Sequence, residues 1–273
     1  MVDGSSPDPM MPPRESALDP DSDQEMLDAS PVPRAAVAPG AAATDRKQVR
    51  RERLRFLAKT PSFVVGMGIL LFWVAASIVP GLFTKYNDQE SVVVDGVTLS
   101  RVGPRLDAWF GTDIIGRDVF ARVIYGARPI LITAVIAALL AVIAGTLLGL
   151  IVGYFRGWVD EIISRVIEAF LSIPVILLAI LVLTLFGRSR WVIIATIAVL
   201  FTPVVTRTVR SAVLAEAQLD YVTSAKLRGE RSVFVMTREI LPNITGVAVV
   251  ELTVRVGYAI FTVATLSFLG LNA

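Results

Sequence analysis

Long apolar runs separated by short polar segments constrain the fold of this chain more than any other feature. The runs cover about residues 62–83, 129–155, 162–186, 191–209 and 244–269. Each is close to the roughly 20 residues that an α-helix needs to cross a bilayer. Charged residues make up only 18% of the chain and cluster between the runs. This pattern predicts an all-α, polytopic membrane protein.

The residues before the first run change character twice. Residues 1–45 are rich in Pro, Ala, Ser and Asp, with no helical or strand periodicity, which predicts a disordered acidic tail. Residues 46–61 are basic and lead directly into the first span, which predicts a cytoplasmic juxtamembrane segment that anionic lipid can hold. Alternating spans then place 84–128 outside, and 210–243 inside as a cytoplasmic loop.

Several classes of function lack the residues that they require. The chain has no Cys and no His, so it offers neither a thiolate metal site nor an imidazole base. It has no G-x-x-x-x-G-K-[ST] phosphate loop, no H-E-x-x-H and no G-x-S-x-G. We therefore expect no catalytic residue, no metal and no cofactor on this chain, and no nucleic-acid partner.

Two groups of charged residues are candidates for function. Glu251 and Arg255 stand one helical turn apart inside the last apolar run. Ionisable residues at that depth often line a translocation path; the alternative is a self-neutralising pair at a helix interface. Asp113, Arg117 and Asp118 precede the second run on the expected outer side, where they could contact a partner or simply cap and bridge a helix start.

Two local motifs have a direct structural interpretation. Residues 92–99 contain two β-favouring runs around an Asp-Gly pair, which predicts a hairpin. The polar segment from Asp220 to Asn243 separates two apolar runs, and helical spacing relates Tyr221 to Ala225. Gly229 would end that short helix, which could enter a cleft on a cytoplasmic partner or remain a solvated loop.

Five blocks, in this order, resemble one protein family. They are GTDIIGRD at 111–118, GYFRGWVD at 153–160, the segment 165–174 ending in SIP, the loop 220–243, and LSFLGL at 266–271. Together they are similar to the second, "C"-type permease subunit of dipeptide/oligopeptide (or nickel) ABC importers, over about residues 50–271. The resemblance implies the transmembrane domain of a type I ABC importer at 62–273.

In that family the loop docks onto the ATPase, and the resemblance carries this role to specific residues. They are Tyr221, Thr223, Ser224, Ala225, Arg228, Gly229, Ile240, Leu241 and Pro242. The family loop usually begins Glu-Ala-Ala, whereas Thr223 and Ser224 stand here, so an acidic contact is absent. The family also continues into a sixth helix after the last block, which implies either a truncated chain or a helix supplied by another chain.

The resemblance further implies a machine of several chains. A related permease would complete a heterodimer, one or two cytoplasmic ATPases would hold ATP and Mg²⁺, and an extracytoplasmic binding protein would deliver short peptides. Asp113, Arg117 and Asp118 would face that outer partner or the second permease. The expected location is the cytoplasmic membrane, with the N-terminus inside. Alternatives are import of a nickel chelate, haem or another small solute, and a stand-alone secondary transporter; the latter predicts inverted repeats, and Glu251 has no counterpart in the first half.

Overall fold

The computed structural model describes residues 59–94 and 96–271. The predicted tail at 1–45, most of the predicted basic segment at 46–61, and Asp95 in the predicted hairpin turn lie outside the described residues. The chain divides into two units, Met1–Val65 and Gly66–Ala273. In the described part of the first unit, the Thr60 carbonyl accepts from the backbone N–H groups of Phe63 and Val64 and so opens the first helix.

The described residues form long helices with few strands. The helices are α1 Pro61–Ile78, α2 Val119–Phe155, α3 Gly157–Leu171, α4 Val175–Phe186, α5 Arg190–Glu216, α6 Asp220–Leu227, α7 Ser232–Phe234 and α8 Leu241–Phe268. A 3₁₀ turn covers Pro80–Leu82, and a π-helical turn at Val235–Ile240 joins α7 to α8. The all-α prediction is confirmed.

Among the described residues, four helical segments are long and apolar enough to cross a membrane, and a bent pair raises that number to five. The four are α1, α2, α5 and the continuous stretch Ser232–Phe268. The bent pair is α3 with α4, whose axes differ by 87°. The predicted span 162–186 is therefore not one straight helix. Pro174, which has no N–H and disfavours helical geometry at Ile173, explains the break.

Other predicted boundaries also shift. Helix α2 begins at Val119, ten residues before the predicted 129, because the Asp118 carboxylate accepts a hydrogen bond from the backbone N–H of Phe120 and caps the helix there. Helix α5 continues to Glu216 and so includes the first seven residues of the predicted loop 210–243. Hydropathy alone misses such polar helix ends, because the helical hydrogen bonds continue after the apolar run has stopped.

The core is built on close contact between α2 and α5. Gly145, Gly149 and Gly153 form a four-residue repeat on α2. A Cβ added at these glycines would lie 2.5, 2.7 and 2.7 Å from the Cβ atoms of Val205, Val209 and Val213, respectively. The matching order shows that α2 and α5 run parallel. Small residues at this spacing let two membrane helices approach to backbone contact.

An ion pair joins α5 to α3, the helix that follows α2 directly after the last glycine of the repeat. The Arg210 guanidinium on α5 donates two hydrogen bonds, both 2.6 Å, to the two carboxylate oxygens of Asp160 on α3. The Ser164 hydroxyl donates a further bond of 3.1 Å to Asp160. Bidentate pairs of this kind have a defined geometry as well as a favourable energy.

Helix α8 completes the bundle and packs against both α2 and α5. One buried cluster combines Ala134 with Val263 and Leu266, and a second combines Leu150 with Ile244. Helix α8 is therefore antiparallel to α2. We call the end at which α5 stops and α8 starts the loop end, and the opposite end the hairpin end.

The hairpin end carries a small folded segment before α2. Strands β1 Val93–Val94 and β2 Val97–Thr98 pair antiparallel, with Val93 opposite Thr98 and Val94 opposite Val97. The predicted hairpin is confirmed. The backbone N–H of Val92 donates to the Gly116 carbonyl (2.8 Å) and joins the hairpin to the segment that leads into α2.

Candidate functional site

The loop end of the bundle carries α6, which ends in a well-defined turn. The backbone N–H of Gly229 donates to the Lys226 carbonyl (3.0 Å), and that of Glu230 donates to the Ala225 carbonyl (3.3 Å). This pair of bonds is the Schellman motif, whose turning residue adopts a left-handed conformation. Gly229 has φ +76°, and a Cβ there would meet nothing within 4 Å. Gly229 is therefore required by backbone conformation, not by a close neighbour.

Helix α6 is seated on the bundle by two small apolar side chains. Val222 and Ala225 are fully buried and belong to the same cluster as Val213 on α5 and Val235 and Ile240 in the π turn. This inner face holds α6 against the bundle. The outer face of the helix is left to solvent.

The residues predicted to couple to an ATPase divide into two groups. Thr223, Ser224, Arg228 and Gly229 are exposed, whereas Ala225 and Ile240 are buried. Leu241 is partly buried and Pro242 is exposed, and both lie where the π turn continues into α8. Only the exposed group can meet a partner directly; the others position it.

Sequence reasoning missed three exposed apolar side chains close to these residues in the chain. Leu227 is 84% exposed, Val233 66% and Phe234 42%; we call these three residues the loop patch. The exposed residues Arg228 and Arg231 lie between them in the sequence. Leu227 stands two positions after the buried Ala225, about 200° further around a helix. That offset in the sequence could have revealed the exposed position of Leu227, because an apolar residue on the polar face of a short helix needs another partner.

Tyr221, also among the predicted residues, has a partly buried hydroxyl group with several hydrogen bonds. It donates to Glu216 Oε1 (2.5 Å) and accepts from Asn243 Nδ2 (2.8 Å). Burial, together with the hydrogen bond to Glu216, raises the pKa of Tyr221 to about 12. The hydroxyl therefore stays protonated near neutral pH. Neither Glu216 nor Asn243 was a predicted site residue.

Glu251 and Arg255 are brought together inside the bundle. Arg255 Nε donates to Glu251 Oε2 at 3.0 Å, and each side chain is only 12% exposed. The guanidinium also lies over the rings of Phe201 (5.9 Å) and Tyr258 (5.2 Å). The pair is thus neutralised within α8 and packed against α5.

At the hairpin end, Asp113 is the centre of a local network. Its carboxylate accepts from the backbone N–H groups of Ile115 and Arg117 (both 2.9 Å), and from the guanidinium groups of Arg117 and Arg122 (both 3.0 Å). Burial raises the pKa of Asp113, but the hydrogen bonds from Arg117 and Ile115 outweigh it and lower the pKa below its ordinary value. Asp113 and Arg117, together with Asp118 at the cap of α2, shape the segment that precedes that helix. Arg122, which was not a predicted site residue, belongs to the same network.

Within 59–94 and 96–271, the structure contains no group of three or more His, Cys, Asp or Glu side chains that could hold a metal ion. The charged groups described above are instead used in ion pairs, caps and helix contacts.

Comparisons with known proteins find related sequences that cover most of this chain. The family model for the binding-protein-dependent transport system inner membrane component matches residues 145–273. The dipeptide transport system permease protein DppC of Alkalihalophilus pseudofirmus is 36% identical over 223 residues, which cover 82% of this chain and 72% of the relative. DppC of Bacillus subtilis is 36% identical, over 80% of this chain and 67% of the relative. The glutathione transport system permease protein GsiD of Shigella flexneri is 38% identical, over 82% and 71%.

Proposed function

The chain belongs to the family of binding-protein-dependent transport system inner membrane components, and from this premise we propose how it works. It is a multi-pass membrane permease of the dipeptide/oligopeptide ABC type, with a type I importer transmembrane domain. Its substrates are short peptides, since its relatives are permeases of dipeptide and glutathione transport systems. No observation on this chain favours a nickel chelate, haem or a stand-alone secondary transporter.

The observation that carries the mechanism is the loop between α5 and α8. Its buried face is fixed to both helices, while the loop patch and its neighbouring arginines are exposed. A cytoplasmic ATPase that binds this surface differently in its open and closed states would shift the permease between two conformations. Alternating access of the path between the permeases follows from that shift. The exposed loop residues Thr223, Ser224 and Arg228 extend the same contact.

The proposed partners supply what this chain lacks. A second permease forms the other half of the path, one or two ATPases hold ATP and Mg²⁺, and an extracytoplasmic binding protein delivers peptide. The segment braced by Asp113, Arg117 and Asp118 faces that protein or the second permease. This chain itself carries no catalytic residue in the proposal.

The proposed location is the cytoplasmic membrane, with the loop end and the N-terminus in the cytoplasm. The support is the basic segment 46–61, which carries an excess of Lys and Arg and leads directly into the first span. Cytoplasmic loops of membrane proteins show this bias towards Lys and Arg.

The test is copurification followed by reconstituted uptake. The tagged chain, extracted from its native membrane in mild detergent, is expected to bring an ATPase and a second permease with it. Liposomes containing that complex, with its binding protein outside, are expected to accumulate labelled dipeptide only when ATP reaches the ATPases. A chain that purifies alone, or uptake that needs no ATP, would contradict the proposal.

Glu251 and Arg255 can be tested by mutation. The functional proposal is that they line the translocation path, and the alternative is that they form a packed, neutral pair. We expect Glu251→Leu with Arg255→Leu to retain peptide uptake within about twofold, because replacing a buried ion pair by apolar residues is often close to neutral. Glu251→Leu alone leaves a buried guanidinium unpaired, and we expect it to reduce the yield of assembled transporter. Peptide uptake is measured with equal amounts of assembled complex for each variant. Loss of uptake by a double variant that still assembles would place the pair on the translocation path.

A further inference from the structure

Three side chains from separate parts of the loop end meet at one hydroxyl group. Glu216 is the last residue of α5, Tyr221 lies on α6, and Asn243 lies in the first turn of α8. The Tyr221 hydroxyl donates to Glu216 and accepts from Asn243 Nδ2. The second hydrogen of the Asn243 amide is donated to the Glu239 carbonyl in the π turn, at 2.8 Å. We call Glu216, Tyr221 and Asn243 the tyrosine bracket.

We propose that the tyrosine bracket locks α6 to the inner ends of α5 and α8, so that a displacement of α6 moves both spans together. This inference rests on the proposed function, since it names the residues that pass motion from the docking loop into the membrane. Tyr221 is in this view a positioning residue. Its hydroxyl acts on the helices of this chain and need not touch the ATPase.

The need for such a bracket follows from how α6 is connected. Short non-helical links, residues 217–219 and 228–231, join it to α5 and to the next helical segment. The second link contains Gly229 in a left-handed conformation, and the π turn follows at Val235–Ile240. π turns are rare and frequently lie at functional sites. Apolar contacts from Val222 and Ala225 seat α6, but such contacts are non-directional and permit sliding.

The bracket adds direction where the apolar contacts provide none. A hydrogen bond from a neutral hydroxyl to a carboxylate is stronger than one between neutral groups and is sensitive to angle. Because the pKa of Tyr221 is raised to about 12, the donor persists throughout the pH range of a cell. Asn243 donates both of its amide hydrogens, one to the Tyr221 hydroxyl and one to the Glu239 carbonyl, so it joins the π turn to Tyr221.

The first experiment removes the hydroxyl oxygen of Tyr221 and measures how tightly peptide uptake is coupled to ATP hydrolysis. The complete transporter, reconstituted with its binding protein, is assayed for peptide taken up per ATP hydrolysed. Tyr221→Phe is expected to lower this ratio at least threefold. Tyr125→Phe is the matched control, because the Tyr125 hydroxyl donates a comparable bond of 2.7 Å to Asn87 Oδ1 near the hairpin end; its ratio should equal that of the wild type. Glu216→Gln keeps an acceptor and should lose less than twofold.

A second experiment reports on the bracket without transport. The chain has no cysteine, so spin labels at Ser211→Cys and Asp220→Cys, both exposed positions, measure the separation of α5 and α6 specifically. In the assembled complex, Tyr221→Phe and Asn243→Ala should each broaden the distance distribution, and Tyr125→Phe should leave it unchanged.

The outcomes separate this inference from the proposed function. A Tyr221→Phe transporter with the wild-type peptide-to-ATP ratio, or an unchanged label distribution in both bracket variants, would overturn the inference. Equal losses in Tyr221→Phe and Tyr125→Phe would also overturn it. If the wild-type complex takes up no peptide, the proposed function fails, and the label distances still decide whether the bracket holds α6 in place.

Discussion

Gly149→Ala is expected to destabilise the permease, although alanine is the better helix former. The new Cβ would lie 2.7 Å from Val209 Cβ and 3.0 Å from the Thr206 carbonyl oxygen. The second of these is a backbone atom and cannot move without separating α2 from α5. Overpacking of this kind typically costs about 1–3 kcal/mol, which outweighs the gain in helix propensity of about 1 kcal/mol. Thermal melting of the purified complex, followed by size-exclusion chromatography, measures the effect.

Gly126→Ala is the matched control on the same helix. A Cβ at Gly126 meets nothing within 4 Å, so the substitution changes only the helix propensity, which favours alanine. The melting temperature of this variant should stay the same or rise. Val209→Gly in the Gly149→Ala background removes the side-chain collision but leaves the carbonyl contact, and should restore part of the lost stability. Equal melting of the two alanine variants would show that the close contact at Gly149 does not limit packing.

Leu227→Glu is expected to reduce ATP-dependent peptide uptake more than tenfold. Leu227 is 84% exposed at the end of α6, and its proposed partner is an apolar cleft on the ATPase. Burying an unpaired carboxylate in such a cleft costs several kcal/mol, and each 1.4 kcal/mol is a factor of ten in affinity. Copurification of the ATPase with the permease and stimulated ATP hydrolysis are the two measurements.

Leu227→Met serves as the control, because it keeps an apolar side chain of similar volume at the same position. It should retain both ATPase binding and uptake. Leu227→Glu leaves the buried side chains of α6 unchanged, so the variant should insert into the membrane and pair with the second permease normally. Normal ATPase binding by Leu227→Glu would show that the loop patch is not the docking surface.

The sequence was sufficient to predict the helical class and the loop but not the contacts within them. Apolar runs near 20 residues identify spans, because a bilayer imposes that length. The bend at Pro174 was harder to predict, since prolines such as Pro129 and Pro203 lie inside long helices here. A proline breaks a helix only where neighbouring helices fail to satisfy the freed backbone groups, and sequence does not reveal those neighbours.

The candidate site shows the same division. The helical spacing of Tyr221 and Ala225 and the turn at Gly229 follow from local rules, and the structure contains the helix and the turn at those positions. The partners Glu216 and Asn243 lie 5 and 22 residues from Tyr221 in the chain. Only the folded loop brings them together. Likewise, a repeat of small residues in a membrane helix predicts a close neighbour, but it does not identify the valines of α5.

The repeat of Gly145, Gly149 and Gly153 has a consequence for how the two helices find their alignment. A pattern that recurs every four residues is nearly degenerate under translation, since sliding α2 along α5 by one repeat, about 6 Å, presents glycine to valine again. Asp160 lies on α3, which begins at Gly157 directly after α2 ends at Phe155. Its bond to Arg210 of α5 is not periodic and, through that short connection, can form in one alignment of α2 only. The glycines therefore set the distance between the helices, and the ion pair selects which of several equivalent registers becomes the native one.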